Sequence, residues 1–135
     1  MLDELKYKRI FIIEDNLGNR AIMQLLLEQR GAIVSFERWG IDMIARLAKF
    51  KPVDLILLDL MFPSGVTGYD ICDTIRSHNE YINIPIVAVS ASEPAVSIPK
   101  VKAKGFQGFI TKPISFDEFP KQIGQLLAGY EVWET

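Results

Sequence analysis

Short apolar runs alternate with amphipathic segments along most of the chain. The apolar runs predict five strands, over residues 9–14, 32–36, 54–58, 85–89 and 108–110. Apolar residues at helical spacing predict helices over residues 20–30, 41–50 and 69–77. Asn16 offers a cap for the first helix, and Ser115 with Glu118 forms a capping-box pattern before a last helix that ends near Leu127.

The alternation of strands and helices predicts the fold class, which is α/β. Strands this apolar are typical of a parallel sheet that is covered by helices on both faces. Right-handed crossovers then give a doubly wound, five-stranded parallel sheet flanked by helices. Because such sheets bind ligands at the carboxyl ends of their strands, functional residues are expected at that edge.

Composition narrows the class of protein without defining its function. The chain has 135 residues, 49% of them hydrophobic, and a formal net charge of −2. We expect one domain over residues 1–135 with a core at about 8–127, and no surface for direct nucleic-acid binding. No apolar run approaches the roughly 20 residues of a membrane span. The single cysteine, Cys72, forms no intramolecular disulfide, so a cytoplasmic protein is expected.

Polar residues of compatible chemistry follow four of the predicted strands. Glu14 and Asp15 end the first strand, Asp59 follows the third, Ser90 follows the fourth, and Lys112 comes after the fifth. In a parallel sheet these residues converge on one edge. Three carboxylates held together repel one another and need a cation. Oxygen ligands of this kind suit Mg²⁺, which is the expected cofactor.

A carboxylate, a metal ion, an ammonium group and a hydroxyl group are the parts that phosphoryl transfer needs. Asp59 is the candidate nucleophile, Lys112 supplies a charge for a phosphoryl oxygen, and Ser90 supplies a hydroxyl donor. Each residue taken alone also has a purely structural interpretation. Asp59 would then be a solvated strand-end carboxylate, Glu14 and Asp15 would cap the first helix, and Ser90 would bond the backbone.

Four stretches of sequence carry this chemistry in a fixed order. They are IIEDN at the first strand end, DLILLDLMFP around Asp59, IPIVAVSAS at the fourth strand and GFQGFITKP at the fifth. Together they resemble the receiver domain of response regulators in two-component signalling, from about Lys8 to Leu127. The resemblance implies a CheY-like fold with strand order 2-1-3-4-5. It also implies a phosphoacceptor switch, with at most self-phosphorylation and slow autodephosphorylation as enzymatic activity.

The resemblance implies a metal site and a phosphorylation site that share one residue. Asp59 would be the phosphoacceptor. The Mg²⁺ ligands would be Glu14, Asp15, Asp59 and the backbone carbonyl of Met61.

The resemblance also implies switch residues on the fourth and fifth strands. Ser90 would turn toward the phosphoryl group, and Phe109 would be the aromatic residue that moves with it. Phe109 is equally well explained as a fixed core aromatic. Lys112 would bind the phosphoryl group, and the Lys112–Pro113 peptide bond would be cis.

Three prolines depart from the family pattern. Pro94 and Pro99 interrupt the segment of the fourth helix, and a proline inside a helix costs about 3 kcal/mol. We therefore expect a shortened or irregular fourth helix that begins only near Pro99, with Ser97 or Ile98 as its cap. Pro120 is expected to shorten or kink the last helix. The output surface of the family would be remodelled by these changes.

The favoured function is that of a stand-alone receiver with no output domain. A sensor histidine kinase or phosphotransfer protein would phosphorylate Asp59, and a downstream protein partner would read the switched surface. The alternative is a binding module of the same fold that works without phosphorylation, supported by the prolines of the fourth helix. A phosphatase on a similar sheet is disfavoured, because it would need a second acidic residue at the position of Met61. A flavodoxin is disfavoured, because it would need a Ser/Thr/Gly-rich phosphate loop where EDNLGNR stands. The sequence leaves the oligomeric state open, a homodimer included.

Overall fold

A parallel sheet lies at the centre of the molecule. The computed structural model describes residues 5–38, 42–63 and 65–134. Within them the strands are β1 (Arg9–Ile13), β2 (Ile33–Glu37), β3 (Leu55–Leu58), β4 (Ile86–Ser90), β5 (Gly108–Thr111) and β6 (Val132–Trp133). Their order is β2-β1-β3-β4-β5-β6, and every neighbouring pair is parallel. The predicted α/β class and the order 2-1-3-4-5 are confirmed, and β6 is an addition that we did not predict.

Helices cover both faces of this sheet. They are α1 (Leu17–Glu28), α2 (Met43–Phe50), α3 (Gly68–Arg76), α4 (Pro94–Ala103) and α5 (Glu118–Leu127). Buried residues of α1 and α5 share one apolar cluster, and those of α2, α3 and α4 share another. In the part of the chain that the structure describes, no helix is long and apolar enough to span a membrane.

Successive residues of the inner strands point into opposite clusters. In β1, Phe11 and Ile13 contact the cluster of α2, α3 and α4, whereas Ile10 and Ile12 contact the cluster of α1 and α5. A strand has a side-chain period of two, so a sheet covered on both faces needs apolar residues at every position. This explains why the strand segments are continuous apolar runs. It also explains why the first polar residues after each run lie at the strand ends.

Helix α1 is capped as predicted but buries a different face. The Asn16 side chain accepts a hydrogen bond from the Asn19 N–H at 2.9 Å, and the helix begins at Leu17, three residues before the predicted start. Met23 and Leu27 are its buried residues, whereas Leu25 is 57% exposed. The sequence offers two overlapping apolar stripes, and packing against the sheet selected one of them.

The prediction that α4 begins only near Pro99 is wrong. The helix starts at Pro94, where the missing N–H of a proline removes no intrahelical bond. Ser97 is buried within the helix and does not cap it. Pro99 lies inside the helix, and the bond it removes is the one to the carbonyl of Ala95. Both residues are exposed, so water can solvate that carbonyl, and the irregularity of the helix is confined to one position.

The last helix, α5, ends at Leu127 as predicted but begins at Glu118. The Ser115 hydroxyl accepts a hydrogen bond from the Glu118 N–H at 3.2 Å, which is one half of the predicted capping box. Pro120 is the third residue of the helix, where its missing N–H removes no intrahelical hydrogen bond. An effect of Pro120 on the length or straightness of the helix stays a prediction.

Candidate functional site

The polar residues at the strand ends lie on adjacent strands of the sheet. Glu14 and Asp15 follow β1, Asp59 follows β3, Ser90 ends β4, and Lys112 follows β5. These four strands are consecutive in the sheet, and they run in the same direction. The expected convergence of the five residues on one edge is what the strand order produces.

Three carboxylates form the acidic part of the site. Oxygen atoms of Glu14, Asp15 and Asp59 lie within 4.8 Å of one another. Glu14 and Asp59 are buried, and Asp15 is half-buried. Backbone amides hold the two buried groups in place. The Asn16 N–H donates to Oε2 of Glu14 at 3.0 Å, and the Leu60 N–H donates to Oδ1 of Asp59 at 2.7 Å.

Lys112 places its ammonium group between two of these carboxylates. Its Nζ lies 2.6 Å from Oε1 of Glu14 and 3.0 Å from Oδ2 of Asp59. Burial acts to lower the pKa of Lys112, but the hydrogen bond to Glu14 and the charges of Asp59 and Glu14 outweigh it and raise the pKa above its ordinary value. Lys112 therefore keeps its positive charge in this pocket at neutral pH.

For the pKa of Glu14, burial outweighs the effect of the opposite charge. Burial is the largest effect and raises its pKa above the ordinary value; the hydrogen bond from Lys112 lowers it, and the nearby charge of Asp59 raises it again. One ammonium group leaves three crowded carboxylates undercompensated. Their hard oxygen atoms, two of them on buried side chains, fit a small divalent cation, and the acidic triad is typical of a Mg²⁺ site.

Ser90 begins a chain of hydroxyl groups that leads away from the site. Its hydroxyl donates to the Ser92 hydroxyl at 3.1 Å and accepts from the Ser92 N–H at 3.2 Å. The Ser92 hydroxyl in turn lies 2.7 Å from that of Ser97 in α4. Sequence reasoning considered Ser97 only as a helix cap, because nothing in its local pattern marks a contact with the β4–α4 connection.

The remaining predicted residues lie around this pocket. Phe109 is fully buried in β5, in the same apolar cluster as Val101 of α4. The Met61 side chain is 67% exposed, and its backbone pairs with Thr67 in an isolated antiparallel bridge. Metal coordination by the Met61 carbonyl stays a prediction. The Lys112–Pro113 peptide bond is cis, as predicted.

Gly68 is a residue of the site that the sequence did not single out. It begins α3 and packs under Asp59, where a Cβ atom would stand 2.3 Å from the Asp59 carbonyl oxygen. Its N–H donates to the Leu60 carbonyl at 2.9 Å. The close approach of two backbone segments requires glycine here. This close approach depends on how α3 packs against the end of β3, which the local sequence does not specify.

The fold and the site together define a class of protein, a doubly wound domain with a cation pocket at its strand ends. A family model described as the response regulator receiver domain matches residues 10–124. The chain therefore belongs to the response regulator receiver domain family. A domain of this family is a phosphoacceptor switch of two-component signalling rather than an enzyme, and histidine kinases phosphorylate it.

Similar proteins include both a single-domain regulator and larger kinases. The polar-differentiation response regulator DivK of Brucella anthropi is 29% identical over 120 residues, which cover 89% of this chain and 96% of DivK. The sensor histidine kinase AruS of Pseudomonas aeruginosa is 33% identical over 119 residues, which cover 87% of this chain and 12% of AruS. The structure of chemotaxis response regulator CheY4 of Vibrio cholerae matches at a TM-score of 0.79 and 21% identity, over 90% of this chain and 99% of CheY4. This last likeness shows the fold.

Proposed function

We propose that this protein is a stand-alone receiver that accepts a phosphoryl group on Asp59. The donor is a histidine kinase or a phosphotransfer protein, and the phosphorylated form presents a changed surface to a downstream protein. The ion pair of Lys112 with Asp59, beside two further carboxylates, is the single observation that carries the proposal. The match to nearly the whole length of DivK supports a receiver that acts without an attached output domain.

In the proposed reaction, a carboxylate oxygen of Asp59 attacks the phosphorus atom of a phosphohistidine. The new O–P bond forms as the P–N bond breaks, and the imidazole nitrogen keeps the electron pair and takes a proton from water. The Leu60 N–H holds Oδ1 of Asp59, which leaves Oδ2, now bonded to Lys112, as the oxygen that attacks.

Lys112 and Ser90 act on the transferred group. Lys112 releases Oδ2 of Asp59 and binds a phosphoryl oxygen, so that its charge follows the negative charge as it moves. Ser90 turns its hydroxyl from Ser92 to another phosphoryl oxygen. A Mg²⁺ ion held by Glu14, Asp15, Asp59 and the Met61 carbonyl would neutralise part of the charge on the phosphoryl oxygens.

The hydroxyl chain offers a route from the site to the output surface. When Ser90 turns, it gives up its bond to Ser92, and Ser92 loses one of the partners that hold it against Ser97. Ser97 lies in α4, and Phe109 packs in the cluster that includes Val101 of the same helix. We propose that α4 and β5 form the surface that changes on phosphorylation.

An exposed apolar surface beside Lys112 is the proposed docking site of the donor. Leu25 and Ile22 of α1 are 57% and 36% exposed, and Phe116 in the β5–α5 connection is 61% exposed. Ile22 and Phe116 line one cavity that also reaches Lys112. A helix that carries the phosphohistidine could pack its apolar face here and point its ring at Asp59.

The alternative function, a binding module that works without phosphorylation, loses its main support. That support was a fourth helix broken by prolines, and α4 is continuous from Pro94 to Ala103. A module of this kind also has no use for a buried cluster of like charges. The crowded carboxylates favour the phosphoacceptor.

Intact mass spectrometry tests the proposed function. Wild-type protein incubated with acetyl phosphate and Mg²⁺ should gain the mass of one phosphoryl group, and Asp59→Asn should gain none. Asp73→Asn is the matched control, because Asp73 is an exposed aspartate of α3 that pairs with Lys104. A phosphoryl group on Asp59→Asn, or none on the wild type, would contradict the proposal.

A further inference from the structure

Glu134, the residue after β6, is bonded to the end of β5 at three points. Its backbone N–H donates to the Phe109 carbonyl at 2.9 Å. Its Oε1 atom accepts a hydrogen bond from the Thr111 N–H at 2.7 Å, and it also accepts one from the Thr111 hydroxyl. The Glu134 side chain thus accepts the bond from Thr111 that a backbone carbonyl would accept in a longer β6.

The backbone at the base of Lys112 is held on its other side by β4. The Lys112 N–H donates to the Ser90 carbonyl at 2.9 Å. Because successive N–H groups of a strand point in opposite directions, the Thr111 N–H faces Glu134 while the Lys112 N–H faces Ser90. The two peptide units that flank Thr111 are therefore held from opposite edges of β5.

Glu134 is itself held by α5, and its neighbour Trp133 contacts α4. Its Oε2 atom accepts a hydrogen bond from Nε2 of Gln122 in α5 at 2.8 Å. The preceding residue, Trp133, packs against the apolar core, and the Lys102 ammonium of α4 lies 4.8 Å from the centre of its ring. Burial acts to raise the pKa of Glu134, but hydrogen bonds from Thr111 and Gln122 outweigh it and lower the pKa, so the group is a carboxylate at neutral pH.

We propose that Glu134 is a positioning residue for phosphoryl binding. It acts through Thr111 to fix the position of Lys112. This inference rests on the proposed function of Asp59 and extends it to a residue outside the pocket. Its action is geometric, because Glu14 and Asp59 are the groups that act on the charge of Lys112. Glu134 should therefore affect the binding of a phosphoryl group and leave metal binding by the residues after β1 and β3 unchanged.

Beryllofluoride, a mimic of the acyl phosphate, separates these two steps. We expect Glu134→Ala to lower the affinity for beryllofluoride in saturating Mg²⁺ by about tenfold, the size of one lost charge-assisted hydrogen bond. The affinity for Mg²⁺ alone should stay within about twofold of the wild type, since a change that small corresponds to well under 1 kcal/mol. Fluorine NMR measures the first affinity, and calorimetry measures the second.

Three further variants distinguish positioning from a loss of structure. Glu134→Gln should restore most of the beryllofluoride affinity, because its amide oxygen can still accept from Thr111. Thr111→Val should lower the affinity in the same direction as Glu134→Ala but less, because it removes the hydroxyl and keeps the N–H. Glu131→Ala is the matched control in the same segment, since Glu131 bonds the Trp133 indole and not β5.

A double-mutant cycle tests whether Glu134 acts through Lys112. In a Lys112→Ala background, Glu134→Ala should cause no further loss of beryllofluoride affinity, because the group that it positions is gone. Additive losses would overturn the inference. Equal losses of Mg²⁺ and beryllofluoride affinity in Glu134→Ala would also overturn it, since they indicate a general loosening of the pocket.

The outcomes separate this inference from the function on which it rests. If the wild type binds beryllofluoride and Glu134→Ala binds it equally well, the positioning role is wrong while the function of Asp59 stands. If the wild type binds no beryllofluoride in Mg²⁺, the proposed function fails and the role of Glu134 fails with it.

Discussion

The ammonium nitrogen of Lys112 lies 3.0 Å from Oδ2 of Asp59, although 53 residues separate them in the chain. Two parallel strands bring them together, because Asp59 follows β3 and Lys112 follows β5 on either side of β4. The bond occupies the oxygen that the proposed phosphorylation uses. Lys112 must therefore leave Asp59 as the phosphoryl group arrives.

Replacing Lys112 tests this exchange directly. Lys112→Met should slow phosphorylation by acetyl phosphate by at least about a hundredfold, which is the usual effect of removing one donor that stabilises developing charge. Its Mg²⁺ affinity should be kept or raised, because a competing positive charge has gone. The control is Lys104→Met, which removes the exposed lysine of the Lys104–Asp73 pair. This variant should be phosphorylated at the wild-type rate. Equal slowing in both variants would refute a specific role for Lys112.

The contact of Gly68 with Asp59 predicts a strong effect of a single methyl group. Gly68→Ala places a Cβ atom 2.3 Å from the Asp59 carbonyl oxygen, so the two backbones must separate. We expect the free energy of unfolding to fall by about 1–3 kcal/mol. Gly18→Ala, where the nearest atom is 3.4 Å away, should leave it unchanged or raise it by up to about 1 kcal/mol. Urea denaturation of both variants measures the difference, and similar stabilities would argue against the close approach.

Glu14 should make the metal-free protein less stable as the pH rises. Its folded-state pKa is raised, first by burial and further by Asp59, so between its unfolded and folded pKa values the folded state binds more protons than the unfolded state. The free energy of unfolding then falls as the pH rises from about 4.5 through the folded pKa. Glu14→Gln should lose this slope.

Denaturation at a series of pH values, without Mg²⁺, gives the slope for wild type and variant. Glu28→Gln is the matched control, because Glu28 is an exposed glutamate of α1 and glutamine can keep its bond with Gln24. Parallel pH profiles for wild type and Glu14→Gln would show that the pKa of Glu14 is not raised.

The two prolines of α4 should have unequal effects on stability. Pro99→Ala restores a hydrogen bond to the Ala95 carbonyl and should raise the free energy of unfolding by about 1–3 kcal/mol. Pro94→Ala should change it by less than about 0.5 kcal/mol, because the first helical position needs no donor. Thermal and urea denaturation measure both values. A larger gain at Pro94 than at Pro99 would contradict the helix boundaries described here.

The apolar surface of α1 should govern transfer from a protein donor but not from a small molecule. Leu25→Glu should slow transfer from an autophosphorylated histidine kinase by about tenfold or more, as expected for losing one buried leucine contact. Phosphorylation by acetyl phosphate should keep its wild-type rate. Ile82→Glu is the control, because Ile82 is 52% exposed and lies outside this surface. The kinase is chosen beforehand by screening for rapid transfer to the wild type, and equal rates for both variants would place the docking site elsewhere.

The strands and the site residues were open to prediction from the sequence because both depend on local patterns. A strand buried on both faces is apolar throughout, so Glu14, Asp59 and Lys112 mark strand ends by being the polar residues that follow. Parallel strands then bring their carboxyl ends to one edge without further information. Each of these residues needed only its own strand to be recognised.

The tertiary structure decided which of several locally acceptable arrangements the chain adopts. Helix α1 carries two apolar stripes, and only its packing on the sheet determined that Met23 is buried and Leu25 exposed. The two-residue strand β6 is too short to have a period of its own, and it forms because β5 offers an edge to pair with. Glu134 contacts Thr111 across 23 residues of sequence, and such a contact depends on the assembled sheet rather than on any local pattern.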